Sequence, residues 1–387
     1  MLPSFYHPDR VLTLGILGGG QLAKMLAQAA YRLGLRVAVI ENAPESPAGV
    51  MTPHDFGGGW NDPQELQRFL DVCDYVTLEN EFIDPAILDR IAERRPVYPT
   101  ADTLRLVRDK FTQKETMRTA GIATAEFEAV NSLEEAYAYG DNRAYPWIMK
   151  TREFGYDGYG NFTIERRNHA LIAWMRFSSG DAPRAVMAES FVTFSKELAV
   201  MVARNQRGEL AVYPCVETVQ KNHICHTVTA PAAISADLAR QAADIAVAAV
   251  EAIGGVGVFG VEMFLADGDR LLFNEIAPRP HNSGHYSIEA SHCSQFENCI
   301  RAVLNLPLGN PDLVCGGAAM VNILGTRGGP GVPDSTVDFF RHADASLHLY
   351  GKKDSRKGRK MGHATALGSD AAAALAKVTA AVDALIW

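Results

Sequence analysis

The sequence is sparing in cysteine, with 6 in 387 residues (Cys73, Cys215, Cys225, Cys293, Cys299, Cys315) and no Cys-x-x-Cys pair. That density excludes a disulfide scaffold and fits reduced thiols in a cytoplasmic protein. Basic charge is not in excess either. A net charge of −8 argues against a general nucleic-acid surface, which is normally positive. No apolar run approaches the ~20 residues of a membrane span, and the opening MLPSFYHPDR lacks a charged-then-apolar signal pattern. Repeats and low-complexity tracts are absent. Zinc spacing is missing as well: His223-x-Cys225-His226 has no second ligand pair, and Pro280 and Gly284 interrupt His281, His285 and His292.

What remains is an ordinary globular balance, 47% hydrophobic and 21% charged, on a chain long enough for two or three domains. The expected fold class is α/β, with α+β character in its middle part. Over residues 1–105, Val11–Leu17 reads as a strand, Gly18–Gly20 as a turn, Gln21–Leu33 as a helix ended by Gly34, and Leu35–Ile40 as a second strand. This is a βαβ unit of a parallel sheet. Tyr75–Leu78 and Pro96–Pro99 are further strands. Over 106–305 the pattern predicts a helix at Phe111–Ala120 with Gly121 at its C′ position and a strand at Pro146–Lys150. A glycine-rich loop, Gly155–Asn161, follows, then strands at Val186–Glu189 and Glu197–Ala203. Ser235 caps a helix over Ala236–Ile253, and Val258–Leu265 with Arg270–Ile276 forms a hairpin. A small lid falls at about 115–190. The last unit, 306–387, combines a Gly/Pro-rich stretch, a basic run and an alanine-rich helix.

Gly18-x-Gly20-x-x-Ala23 with Glu41 about 20 residues on has the form of a dinucleotide fingerprint. Backbone amides at a helix N-terminus bind any phosphate, so the pattern predicts phosphate binding at this turn more than a dinucleotide. The alternative is a tight turn that needs glycine for packing.

The hairpin is more informative. With Gly268-Asp269 as its loop, Glu262 stands opposite Glu275; with Asp267-Gly268, the two are diagonal. Either way they share a face. Like charges that close destabilise a sheet unless a cation lies between them, and two hard oxygen ligands suit magnesium, which keeps nucleotide phosphates as its other ligands. Lys110 opens a helix and Lys150 ends a strand. Lys150 is followed by Gly155-Tyr156-Asp157-Gly158-Tyr159-Gly160, a loop whose amides can fold over phosphates beneath which a lysine supplies a point charge.

In this order, Lys110, Lys150 with its glycine loop, Glu189-Ser190-Phe191-Val192, Glu197, Glu262 and Asn274-Glu275, the chain resembles the ATP-grasp ligases. Gly18–Leu22, the loop, the stretch Asn274-Glu275-Ile276-Ala277-Pro278-Arg279-Pro280-His281-Asn282-Ser283-Gly284-His285 and Gly358–His363 are similar to the N5-carboxyaminoimidazole ribonucleotide synthetase family. The resemblance implies three domains around a cleft and a homodimer. It implies ATP and Mg2+ as cofactors, and bicarbonate and 5-aminoimidazole ribonucleotide as substrates joined through carboxyphosphate. It places Lys110, Lys150, Gly155–Gly160, Asn161, Glu189–Val192, Glu197, Gln220, Asn274 and Glu275 at ATP, and Glu262 and Glu275 on the metal. Gly20, Gln21, Leu22, Glu79, Asn282, Ser283, Tyr350, Lys352, Arg359 and Lys360 fall at the ribonucleotide, with Lys353 and Lys357 left to the surface. Asp157, Arg279 and His281 are the implied catalytic groups. The chain departs from many relatives at Gln220 (histidine), Tyr159 (Lys or Arg) and Lys110 (Arg in some). Three other readings compete: a formate-dependent glycinamide ribonucleotide transformylase, a non-catalytic nucleotide-binding regulator and a nicotinamide dehydrogenase.

Overall fold

In the computed structural model the described residues are 6–7, 10–155, 160–178, 183–221 and 223–387. The first unit follows from one fully buried strand. β1 (Thr13–Leu17) is buried at every position, so it must be covered on both faces. Helix α1 (Gln21–Arg32) does part of this through Leu22, Met25 and Leu26, which lie on one face at helical spacing. β2 (Arg36–Ile40), β3 (His54–Phe56) and β4 (Tyr75–Leu78) complete a parallel sheet ordered β3-β2-β1-β4. Pro96–Pro99 is not a strand: a single parallel bridge, Val76 to Val97, is all that forms there.

Helix α2 (Lys110–Thr119) leads into the lid. The lid sheet consists of β5 (Phe127–Val130), β6 (Trp147–Thr151), β7 (Asn161–Ile164) and β8 (Val186–Ser190), antiparallel in the order β5-β8-β6-β7.

The largest sheet has nine strands among the described residues. Its central members are β9 (Phe194–Arg204), β10 (Val216–Lys221) and β11 (Ile224–Ala230), and helix α3 (Ala236–Ala252) packs on β9 and on the hairpin strands that follow. β12 (Gly257–Ala266) and β13 (Arg270–Ala277) form the hairpin at one end. At the other end β14 (Gly317–Leu324) pairs with β11, followed by β16 (Lys360–Gly368) and, outermost, β15 (Ala345–Leu349). The C-terminal strands thus extend the central sheet. Among the described residues no helix is long and apolar enough to cross a membrane.

Candidate functional site

The hairpin loop has three residues, Asp267–Asp269, with Gly268 and Asp269 both at positive φ. Ala266 therefore pairs with Arg270, and Met263 with Phe273. Continued unbroken, that register would set Glu262 against Asn274 and turn Glu275 to the opposite face, because side chains alternate with period two. A bulge between Glu262 and Met263 on one strand and their partners on the other absorbs Asn274 and restores the pairing Glu262–Glu275. Neither loop expected from the sequence is correct, yet the two acids do oppose each other.

Around them the elements are fixed in place. Asp109 caps α2 by accepting from the Phe111 N–H at 2.8 Å, and holds the Arg152 guanidinium through Nε at 2.9 Å. The Lys110 N–H donates to Arg152 O at 2.8 Å. Gln113 locks the same helix to β13, donating to Ile276 O and accepting from Ile276 N, both at 3.0 Å. Lys110 is thereby delivered to the cleft, where its ammonium bonds Glu275. Lys150, from β6, donates to Glu189 Oε1 at 2.7 Å. Lys114, one turn after Lys110, lies 3.0 Å from Glu189 Oε2.

The charges of this cluster are uneven. Burial pushes Glu262 up, and neighbouring Glu275 and Glu197 add to it. Burial acts on Glu275 in the same direction, but Lys110 outweighs it and holds that carboxyl low. For Glu189 the two lysines overcome burial and hold it at about 2. Glu262 has a weak partner in His281, whose Nε2 is 3.5 Å away. Burial, reinforced by Arg279, lowers His281 to about 4, so it is neutral at pH 7. Its Nδ1 lies 2.8 Å from Ser283 Oγ and accepts from Ser283 N–H, which leaves Nε2 as the protonated nitrogen facing Glu262. With Lys110 on Glu275 and burial favouring a protonated Glu262, the metal-free pair is poised to ionise fully only when a divalent cation sits on it. Among the described residues no cluster of three or more His, Cys, Asp or Glu forms a closed metal cage. Two acids are nevertheless the usual protein share of a magnesium site completed by phosphates and water, so the residues fit that ion.

Several residues expected at the ligands have protein partners in this structure. The Gly18–Gly20 turn is not an open phosphate cradle: Glu79 accepts from Gly20 N and, at 2.9 Å, from Ala23 N, while Glu41 accepts from Gly19 N at 3.1 Å. Two carboxylates already occupy the helix N-terminus. The glycines serve this packing, since a Cβ on Gly18, which sits at φ +104°, would run into the Glu79 side chain. Glu79 is a buried cap, and Leu22 points into the core; Gln21 stays partly open beside them. Arg279 is already forked onto Glu81, with Nη2 to Oε1 at 2.8 Å, which ties the first unit to the end of β13. Asn282 forms a reciprocal amide pair with Asn322 at 3.0 and 2.6 Å, and Ser283 is buried beneath His281. Tyr350 is buried with its hydroxyl 3.0 Å from His363 Nδ1. Ser190 N already donates to Glu126 O at 2.8 Å and Glu189 is paired on both sides, so Phe191 and Val192 are the residues whose backbone is left to offer.

The other expected site residues are placed as follows. Glu197 on β9 and Gln220 on β10 lie close enough for Gln220 to influence the carboxyl. Gly160, at φ +94°, accepts from Thr151 N at 2.8 Å, and Asn161 faces Lys150 across the lid sheet. Gly155 ends the described part of the loop, and Tyr156, Asp157, Gly158 and Tyr159 lie outside the described residues. Lys360 sits close enough to Glu262 and His281 to influence both. Lys352 donates to Lys360 O at 2.8 Å and Arg359 to Asp354 O at 2.6 Å, whereas Lys353 and Lys357 are exposed. Sequence reasoning missed Glu81, Lys114 and Asn322. Lys114 had a legible signal, its i+4 spacing from Lys110.

Three family models match: a ribonucleotide synthetase preATP-grasp domain over residues 11–108, an ATP-grasp domain over 115–296 and a phosphoribosylaminoimidazole carboxylase C-terminal domain over 318–377. The chain is 40% identical over 366 residues to a phosphoribosylaminoimidazole carboxylase of Ogataea methanolica, with 91% of this chain aligned; it spans 65% of that relative's length, just under two thirds. It is 39% identical to the N5-carboxyaminoimidazole ribonucleotide synthase of Synechococcus elongatus, covering 91% of this chain and 88% of that one. The crystal structure of N5-carboxyaminoimidazole synthase from Aspergillus clavatus, in complex with ADP and 5-aminoimidazole ribonucleotide, superposes with a TM-score of 0.86. That match is at 35% identity and covers 96% of this chain and 98% of the other.

Proposed function

The chain belongs to the N5-carboxyaminoimidazole ribonucleotide synthase family of ATP-grasp ligases, and we propose that it carboxylates the exocyclic amine of 5-aminoimidazole ribonucleotide with bicarbonate and ATP. The observation that carries this reading is the bulged hairpin, which sets Glu262 against Glu275 within reach of Lys110.

In this reaction a bicarbonate oxygen attacks the γ-phosphorus of ATP and ADP leaves. The amine nitrogen then attacks the carboxyl carbon of carboxyphosphate. The carbon–oxygen bond to phosphorus breaks, inorganic phosphate departs and the amine loses a proton. Phosphoryl transfer of this kind needs positioning and charge neutralisation more than a protein nucleophile. Magnesium on Glu262 and Glu275 supplies neutralisation of the phosphate charge when bound. Lys110 and Lys150 hold the phosphates, Phe191 and Val192 meet adenine through their backbone, and Glu197 with Gln220 takes the ribose. Neutral His281 donates from Nε2 towards the departing phosphate or the carboxyl oxygen. Arg279, held by Glu81, orients the same anion with its remaining N–H groups. Lys352, Arg359 and Lys360 attract the ribonucleotide phosphate, with Gln21 facing its sugar, and Asp157 on the loop meets the amine. Carboxyphosphate hydrolyses readily, which favours a loop that closes over it.

In this account the units 1–105, 106–305 and 306–387 divide the work among ribonucleotide, nucleotide with metal, and phosphate capture. A cytoplasmic homodimer is part of the proposal and is checked by sedimentation of the pure protein. The function itself is tested by ADP release from magnesium-ATP, with bicarbonate and the ribonucleotide added separately and together. Stimulation needing both is expected. No response to the ribonucleotide sinks the assignment, and stimulation by formate with glycinamide ribonucleotide transfers it to the transformylase.

A further inference from the structure

Lys114 has no role in the reaction as derived so far, yet it is among the most deeply buried charges in the protein, with 3% of its side chain exposed. It projects from the same face of α2 as Lys110, four residues on. Lys110 meets Glu275 on the large sheet, while Lys114 crosses to Glu189 on the lid strand β8. Glu189, 2% exposed, is therefore shared: Oε1 takes Lys150 at 2.7 Å and Oε2 faces Lys114 at 3.0 Å. Among the described residues the Lys114 ammonium makes no hydrogen bond of good geometry; Glu189 is its ion-pair partner and the ring of Phe273 lies 6.0 Å away.

This sharing has a consequence for nucleotide binding. To meet phosphates Lys150 must loosen its hold on Glu189. If Lys150 were the sole partner, its departure would strand a buried carboxylate, which is strongly unfavourable. With Lys114 in place, Glu189 keeps a counter-charge and Lys150 is free to move. We propose that Lys114 is a positioning residue for ATP, holding the Glu189 carboxylate so that Lys150 can transfer from it to the nucleotide phosphates. The proposal rests on the ATP-binding reading above.

The test is calorimetric titration of magnesium-ADP and of a non-hydrolysable ATP analogue into the full chain. Wild type is compared with Lys114→Met, Lys114→Arg and the neutral pair Lys114→Met/Glu189→Gln. Lys114→Met should weaken binding about tenfold to a hundredfold, because Lys150 is now Glu189's single counter-ion. In steady state the loss should fall on the KM for ATP and leave the KM for the ribonucleotide unchanged. Lys114→Arg should stay within a few-fold of wild type. The neutral pair should recover most of the affinity, since a neutral amide no longer retains Lys150. A lysine that touched the nucleotide directly, or merely supported the fold, would not be rescued this way. Wild-type affinity in Lys114→Met, or no recovery in the neutral pair, overturns the proposal. Should Lys114→Met fail to fold, the neutral pair alone decides: affinity near wild type supports it and weak binding refutes it. Failure of the wild type to bind either nucleotide would instead refute the ATP reading.

Discussion

Glu262→Gln and Glu275→Gln are isosteric changes at directly paired positions of the hairpin, and the unequal charges around them predict opposite effects on the nucleotide-free protein. At an effective dielectric of about 20, two unit charges roughly 5 Å apart repel by about 3 kcal/mol. Lys110 cancels part of this, and solvent screens more, since the Glu275 side chain keeps 35% of its surface exposed and Glu262 22%. A residual of about 1 kcal/mol is left. Burial pushes Glu262 up to about 8, so it carries its full charge only above that pH; at pH 9, removing that charge relieves the repulsion and the melting temperature of the free protein should rise by ~2 °C. Removing the charge of Glu275 takes away the partner of Lys110 and leaves that lysine without its hydrogen-bonded acceptor, so the melting temperature should fall by at least as much. Both variants should lose the stabilisation by magnesium-ADP, which in the wild type amounts to ~2.7 kcal/mol at a hundredfold excess over Kd. Thermal melts with and without magnesium-ADP read all four quantities. A fall in the free Glu262→Gln protein, or a full nucleotide shift in either variant, refutes the reasoning.

Glu81→Gln should cost about 3 kcal/mol in urea unfolding, because it breaks the fork that Arg279 makes across two units, and Arg279→Met/Glu81→Gln should cost less than the two single changes added. Glu79→Gln keeps one acceptor oxygen for two amide donors, so a loss of about 1–2 kcal/mol is expected, with Gly20 and Ala23 amides exchanging faster with solvent. His285 and His363 are held neutral by burial, far below the usual histidine range. The folded state then binds fewer protons than the unfolded chain below pH ~6.5. Stability is therefore full above that pH and declines as pH falls, by up to ~1.4 kcal/mol per pH unit for each histidine. His363→Gln should flatten the slope measured by urea titrations between pH 7 and 5, and an unchanged slope would count against it.

The sequence was most readable where local chemistry decides structure. Gly34, Gly121 and Gly254 ended helices within a residue or so of the expected place, all three at positive φ. The alternation in the hairpin put the two acids on one face, but by a route period-two reasoning does not contain: a longer loop whose shift is undone by a bulge at Asn274. Contacts between distant parts of the chain were the illegible ones. Nothing local says that Glu79 reaches 56 residues back to Ala23, that Glu81 takes the fork of Arg279, or that Asn322 closes on Asn282. The glycine turn illustrates the cost of reading a motif alone, since the amides that resemble a phosphate site are satisfied by the protein's own carboxylates. Lys114 and Lys110 share a helical face on any helical wheel, but the carboxylate each one meets comes from a different sheet.

In the proposed reaction bicarbonate is activated by phosphorylation before it reaches the amine. Turnover of 18O-labelled bicarbonate with ATP and 5-aminoimidazole ribonucleotide, followed by 31P NMR of the released phosphate, reads this directly. If carboxyphosphate forms, one labelled oxygen passes from bicarbonate to each phosphate and shifts its resonance upfield. Carboxylated product accompanied by unlabelled phosphate would contradict the account.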